Sequence, residues 1–278
     1  MDTHQASYGG VGLALLRGLA ETGATTFTLA EVRQVAHQLG VAPSYLSILL
    51  NRLVRSGLIR RIKRGTYALT AGLPGFPEAH PFAIGMALVD PSAVSGWSAL
   101  NHHGLTEQIP RIVTLTTPRR IVTPAMRGAV QREPSIWEVA GQPYDIVRVV
   151  PAHFFGDLEI WIGESRVRIF DRERALLDCF ALPRRFGGLA EGMGILEEHL
   201  HELDVKRLVG HALRYGKVSV AKRVGFALER AGVRASLVEP LRALPMQGLR
   251  VLDPTKPAKG ERNRRWGLRE NLAARRAS

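Results

Sequence analysis

The segment from Thr28 to Leu69, TLAEVRQVAHQLGVAPSYLSILLNRLVRSGLIRRIKRGTYAL, leaves few choices for how it can fold. Thr28 stands where a helix N-cap is needed, and Glu31 follows three residues on, the spacing of a reciprocal capping box. Leu29, Val32, Ala36 and Leu39 then recur along one helical stripe. Gly40 supplies a left-handed C-cap. After the turn Gly40-Val41-Ala42, Pro43 stands at a first-turn position, where a missing N–H costs nothing. Leu46, Leu49, Leu50 and Leu53 form the buried stripe of a second helix that ends at Gly57. Ser44, Tyr45, Ser47, Asn51, Arg52 and Arg55 are left on its other faces. A basic stretch, Arg60-Arg61-Ile62-Lys63-Arg64-Gly65-Thr66-Tyr67, then reads as strand, turn and strand.

Two short helices across a tight turn, followed by a basic hairpin, predict a winged helix-turn-helix. The first residues of the second helix would reach base edges, so Ser44, Tyr45, Ser47, Asn51 and Arg52 are the candidates for the major groove. Arg55, Arg60, Arg61, Lys63 and Arg64 are placed for backbone phosphates. The plainer alternative is an αα-hairpin with a solvated basic loop. A leading helix over residues 8–22 would complete a three-helix core through Leu15, Leu16 and Leu19.

Charge supports a polyanionic partner. The 278 residues carry 38 Lys+Arg and 25 Asp+Glu, a net charge of +13. The excess is +5 in residues 1–72, −1 in 73–170, +4 in 171–250 and +5 in 251–278, so the middle of the chain contributes none of it. One cysteine, Cys179, excludes an internal disulfide and a cysteine metal cluster, and its apolar helical setting predicts a buried small hydrophobe. No apolar run approaches the roughly 18 residues of a membrane span. The N-terminus, MDTHQASYGG, lacks the charged-then-apolar pattern of a signal peptide. The expected location is the cytoplasm.

The run TAGLPGFPEAHP after Leu69 marks the domain boundary. The expected fold class is α+β. A winged helix over 1–72 precedes a C-terminal part over 80–278: mixed α/β over 80–170, a helical, bundle-like segment over 171–250, and a basic tail over 251–278. Strands are predicted at 111–117, 144–150, 158–162 and 166–170, and helices at 171–182, 189–201, 204–214, 218–231 and 235–244. Trp266 and Leu268 are candidate anchors of the tail.

Catalytic signatures are missing. There is no GxxxxGK[ST], HExxH or GxSxG motif. Adjacent His102 and His103 point to different sides of a helix, and His199 and His201 are splayed by their spacing, so neither pair reads as metal ligands. Asp204-Val205-Lys206 has the Asp-x-Lys pattern of a metal-dependent nuclease, but that chemistry needs the triplet on a strand. No catalytic residue, metal or cofactor is expected. Arg174 and Asp178 are spaced to pair on one helix face. Arg184, Arg185, Lys222 and Arg223 are candidates for a second basic surface.

Four ordered stretches carry a resemblance to the AbiEi antitoxins of type IV toxin–antitoxin, or abortive-infection, systems. The first is the winged-helix segment itself. Next come Trp97-Ser98-Ala99-Leu100 with His103-Gly104-Leu105-Thr106 and the strand Ile112 to Thr117. The third runs from Asp171-Arg172-Glu173-Arg174-Ala175-Leu176-Leu177-Asp178 through Gly187-Gly188 to Val220–Glu229. The last is Lys259-Gly260 with Arg265-Trp266 and Asn271. The resemblance implies an N-terminal domain that binds inverted repeats in duplex DNA of its own promoter and represses its operon. It also implies a C-terminal part that opposes a co-encoded nucleotidyltransferase-like toxin, with no stable complex required. The residues alone leave open another reading, a winged-helix regulator whose C-terminal part senses a small ligand.

Overall fold

A computed structural model describes residues 10–70, 75–122 and 136–272. Its fold is α+β, and at the N-terminal end each element follows from a local signal. Helix α1 (Gly10–Ala20) buries Leu15, Leu16 and Leu19. Gly12 faces Leu53 and Leu49, and a Cβ on Gly18 would stand 2.6 Å from Val35 Cγ1, so these two glycines let α1 lie close against its neighbours. Strand β1 (Thr26–Thr28) runs straight into α2 (Leu29–Gln38). Thr28 caps α2 with the full reciprocal box: its hydroxyl accepts from the Glu31 amide at 3.3 Å, and Glu31 Oε2 accepts from the Thr28 amide at 2.6 Å. Gly40 adopts φ +68°, as its place after the helix requires. Helix α3 (Pro43–Arg55) opens on Pro43 and buries Leu46, Leu49, Leu50 and Leu53.

Leu39 departs from the expected stripe. It is 43% exposed, and Val35 takes its place in the core. The helix ends at Gln38, so Leu39 has already left the helical face that the periodicity assumed. Residues 8 and 9 of the expected leading helix lie outside the described residues.

A hairpin of β2 (Ile59–Lys63) and β3 (Thr66–Leu69) follows, and the three strands pair in the order β1-β3-β2. A register shift between Arg61 and Lys63 turns Ile59 and Ile62 inward while Arg60 and Arg61 both face out. Helix, strand, two helices and a two-stranded hairpin, packed on one hydrophobic cluster, are consistent with the winged helix expected from the sequence.

Helix α4 (Pro81–Leu88), β4 (Ala93–Val94), α5 (Gly96–His102), β5 (Val113–Thr117), β6 (Ile136–Val139), β7 (Gln142–Arg148), β8 (Asp157–Ile162) and β9 (Ser165–Phe170) come next. Strands β4 to β9 form a six-stranded sheet in the order β6-β7-β5-β4-β9-β8. It is mixed, as expected: β4 and β9 run parallel, β6 and β7 antiparallel. The helical stretch comprises α6 (Arg172–Ala181), α7 (Leu189–His199), α8 (Val205–Tyr215), α9 (Val218–Arg230) and α10 (Ala235–Arg242). Asp171 caps α6 through the Arg174 amide at 2.7 Å, and Asp204 caps α8 through the Arg207 amide at 3.0 Å. The supposed tail contributes a small sheet of β10 (Arg250–Val251), β11 (Glu261–Asn263) and β12 (Leu268–Glu270).

The chain divides into two compact units. The first takes Met1–Ala93, Arg119–Ile146 and Glu159–Arg168, and so extends beyond the N-terminal domain expected from the sequence. Within it the end of the 70–81 stretch is held down: the Ala79 amide donates to the Leu69 carbonyl and the His80 amide to Ser165 Oγ. The second takes Val94–Pro118, Val147–Leu158 and Ile169–Ser278. At its centre Arg174 is wholly buried. Its guanidinium pairs with Asp178, donates to the His153 carbonyl at 3.0 Å, and lies over the Phe170 ring at 4.4 Å. Burial pushes the Asp178 carboxyl up, and the charge and hydrogen bond of Arg174 pull against it. Cys179 is buried as expected. Trp266 and Leu268 are fully buried and anchor the C-terminal sheet. A Cβ on Gly225 would stand 2.3 Å from the Trp266 ring, so only glycine lets that ring lie on α9.

Candidate nucleic-acid interface

Burying Leu46, Leu49, Leu50 and Leu53 on one side of α3 turns the remaining positions outward. Ser44, Ser47, Ile48, Asn51, Arg52 and Arg55 are all exposed and recur at helical spacing, forming one continuous outer stripe. Arg52 Nη1 donates to the Tyr45 hydroxyl at 3.3 Å, which joins two candidate base readers into one polar pair. Ile48, 49% exposed, sits within the same stripe. Sequence reasoning passed over it because an isoleucine among leucines reads as core. Its presence in the stripe offers an apolar group of the kind that meets a thymine methyl in a major groove.

The hairpin supplies the cations. Arg60, Arg61 and Arg64 are exposed. Gly65, at φ +70°, closes the two-residue turn with Arg64, and its carbonyl accepts from the Leu29 amide at 2.8 Å. Lys63 behaves differently from its neighbours. Its Nζ donates to the Leu88 carbonyl at 2.9 Å, and its ammonium is held below its usual pKa by burial, with the charge of Asp90 opposing. The register shift after Arg61 is what turns this side chain inward. Of the five residues placed for phosphates, Arg55, Arg60, Arg61 and Arg64 face solvent, and Lys63 serves the fold.

The second basic surface does not form as expected. Arg184 and Arg185 are exposed, in a short 3-10 turn before Gly187. Lys222 and Arg223 are buried. Lys222 Nζ donates to the Arg242 carbonyl at 2.5 Å and lies 5.9 Å from the Trp266 ring centre. Arg223 reaches the Phe180 and Val251 carbonyls. The reason is position: α9 packs against α6, α7, α8 and α10, so it has no broad face left for solvent.

The other chemical candidates resolve into structural roles. Asp204 caps α8, so Asp204-Val205-Lys206 is not on a strand. His103 Nε2 is 2.7 Å from the Phe170 carbonyl, and His199 Nδ1 is 3.1 Å from Glu202. Arg172 pairs with Glu202 at 3.1 Å. His211 Nε2 lies 2.9 Å from Asp171. Burial alone would raise the Asp171 carboxyl. Hydrogen bonds from His211 and the Arg174 amide outweigh it and hold the carboxyl below its usual range. Among the described residues, no group of three His, Cys, Asp or Glu side chains is placed to hold a metal ion.

Residues 16–70 match the AbiEi antitoxin family of transcriptional regulators. The match begins within α1 and runs through β3, the segment that carries the outer stripe of α3 and the arginine hairpin. The AbiEi resemblance read from the sequence is thereby met over this segment. No curated protein matches the chain. In solved structures the fold resembles the crystal structure of RV2827C protein from Mycobacterium tuberculosis. The TM-score is 0.61 at 16% sequence identity, over 95% of this chain and 92% of that one. That likeness concerns the fold alone. Among the described residues, no helix is long and apolar enough to cross a membrane.

Proposed function

We propose that this protein is a DNA-binding antitoxin that represses its own operon. Residues 1–72 form a winged helix that reads duplex DNA of the promoter, at inverted repeats, through α3. The observation that carries this reading is the exposed stripe of Ser44, Ser47, Asn51 and Arg52, flanked by Arg55, Arg60, Arg61 and Arg64. Polar and bidentate groups on the helix suit base edges, and arginines on the hairpin suit phosphates. The remainder of the chain, residues 80–278, opposes a co-encoded nucleotidyltransferase-like toxin in the cytoplasm without a stable complex, and acts without catalysis. That half of the reading draws on the AbiEi resemblance and on the family match over 16–70.

Electrophoretic mobility shift with the full chain tests the first half. The fragment upstream of its gene should bind in preference to random duplex DNA. With about four phosphates neutralised per module, log K should fall against log salt with a slope of roughly −4. Equal affinity for both DNAs, or a flat salt response, overturns it. Co-expression with the adjacent reading frame tests the second half: this chain should restore growth arrested by that neighbour, and continued arrest at matched expression removes the antitoxin assignment.

A further inference from the structure

Beneath the start of α9, within the second unit, is a cavity of about 430 Å³. Val218, Ser219, Arg223, Gln247, Arg250 and Val251 line it, together with Pro245 and Met246, and none of them is acidic. Its electrostatics are unbalanced. Arg223 is 8% exposed, its Nε is shielded and has no hydrogen-bond partner, and its terminal nitrogens reach the Phe180 and Val251 carbonyls only at 3.5 and 3.4 Å. Asp253 is the carboxylate whose field acts on this guanidinium. Its oxygens are already engaged by the Leu189 amide and by the Thr255 amide and hydroxyl. A buried cation whose counter-charge is spent on other donors is costly, and proteins normally pair it directly.

The helix end adds a second source of positive potential. Lys217 occupies the N-cap of α9 and offers no acceptor, so no side chain caps the helix. The first amides bonded back to the Lys217 carbonyl are those of Val220 and Ala221. Val218 and Ser219, whose amides precede the first bonded turn, line the cavity with the positive end of a 13-residue helix behind them. Backbone N–H groups at a helix start and arginine forks are complementary to phosphate oxygens.

We propose that this cavity binds a small phosphorylated ligand. Its phosphate sits at the Val218 and Ser219 amides, between Arg223 and Arg250, and its organic part lies against Val218, Val251 and Met246. The cavity volume is that of a small-molecule site. The proposal does not depend on the N-terminal segment binding DNA, and either can fail alone.

Isothermal titration calorimetry on the full chain, at ionic strength held constant with KCl, tests it. Pyrophosphate and inorganic phosphate are the probes, acetate is the control, and a short oligonucleotide serves as a competing source of phosphate. Pyrophosphate should bind saturably at millimolar concentration or below, with phosphate competing and acetate not. Ser219→Asp places a carboxylate where the phosphate would sit and suits the helix start, so the protein should stay folded and bind pyrophosphate at least about tenfold more weakly. Arg250→Ala, at an exposed position, should weaken binding by a similar factor. Arg223→Gln should do so too, with far-UV circular dichroism checking its fold. Absence of saturable binding overturns the proposal. So does unchanged affinity in both Ser219→Asp and Arg250→Ala, or binding of the oligonucleotide with no binding of pyrophosphate.

Discussion

Gly225→Ala sets two effects of opposite sign against each other. In the middle of a helix, alanine is favoured over glycine by about 1 kcal/mol. Here the new methyl would meet Trp266 Cζ3 at 2.3 Å and Cη2 at 2.4 Å. Normal carbon contacts lie at about 3.5–4.0 Å, so the ring must withdraw by more than an ångström. It is poorly placed to do so: it is fully buried, its indole N–H donates to Glu229 Oε2 at 2.6 Å, and its backbone amide donates to Asn263 Oδ1. Forcing extra volume into a packed core costs about 1–3 kcal/mol, and expelling a tryptophan costs about 3–5 kcal/mol. Because the ring cannot shift within its site, the larger cost applies, and the expected net loss is about 2–4 kcal/mol once the helix gain of about 1 kcal/mol is subtracted. The decisive comparison repeats the change in Trp266→Ala. With the ring gone, the next neighbour of the methyl is Leu241 Cβ at 3.3 Å, and the propensity term should now dominate, giving a stabilisation of about 1 kcal/mol. Urea titrations of the four proteins by far-UV circular dichroism give the cycle. A neutral Gly225→Ala, or the same loss in both backgrounds, would refute the packing argument.

Three other measurements follow from the structure. Arg64→Ala should lower the steepness of the salt dependence of DNA binding by about 0.9, while Lys63→Ala should leave it unchanged and lower stability by about 1–3 kcal/mol; identical effects on the salt slope would show that Lys63 also faces the phosphates. Asp171 has its native pKa held below its ordinary 3.8, so its ionised form adds stability above that value and the contribution fades as pH falls through the depressed one. The stability gap between the native chain and Asp171→Asn should therefore be constant at neutral pH and narrow in acid below about pH 4, and a gap that widened there would reverse the assigned sign. Finally, burial pushes the Cys179 thiol well above its usual range, with Asp178 and Glu191 adding to it, so Ellman's reagent should label it only on unfolding; rapid labelling of the native chain would contradict its burial.

What could be read in the sequence was local. The capping box of Thr28 and Glu31, the turn at Gly40, Pro43 at the helix start and the four leucines of α3 each act within a few residues, so their outcome did not depend on distant partners. The helix starts at 171 and 204 were accessible for the same reason, as was the pairing of Arg174 with Asp178. Lys222 and Arg223 show the limit. Their helix has the spacing of an amphipathic segment, and lysine and arginine are mostly exposed residues. Only tertiary packing on several sides of α9, with carbonyls of Arg242, Phe180 and Val251 waiting as acceptors, makes burial tolerable. Lys63 was misplaced by a one-residue register shift, which inverts a strand's faces and leaves no mark in composition. Strand β1 was missed because three residues that end in a helix cap carry no alternation to detect. The C-terminal sheet was missed because β10, β11 and β12 are two or three residues each.

The bond from the Leu29 amide to the Gly65 carbonyl fastens the hairpin turn to the first residue of α2. A hairpin tip is ordinarily a floppy end, and ordering it on contact would subtract from any affinity it gains. Here the backbone beneath Arg64 is already fixed to the same helix that the capping box secures. The entropy left to lose on association is that of the arginine side chains, about 0.5–1.5 kcal/mol for each one immobilised. A short tether of this kind trades reach for readiness: in the proposed complex the hairpin could not stretch toward a distant groove, but it would meet a nearby one without first having to settle.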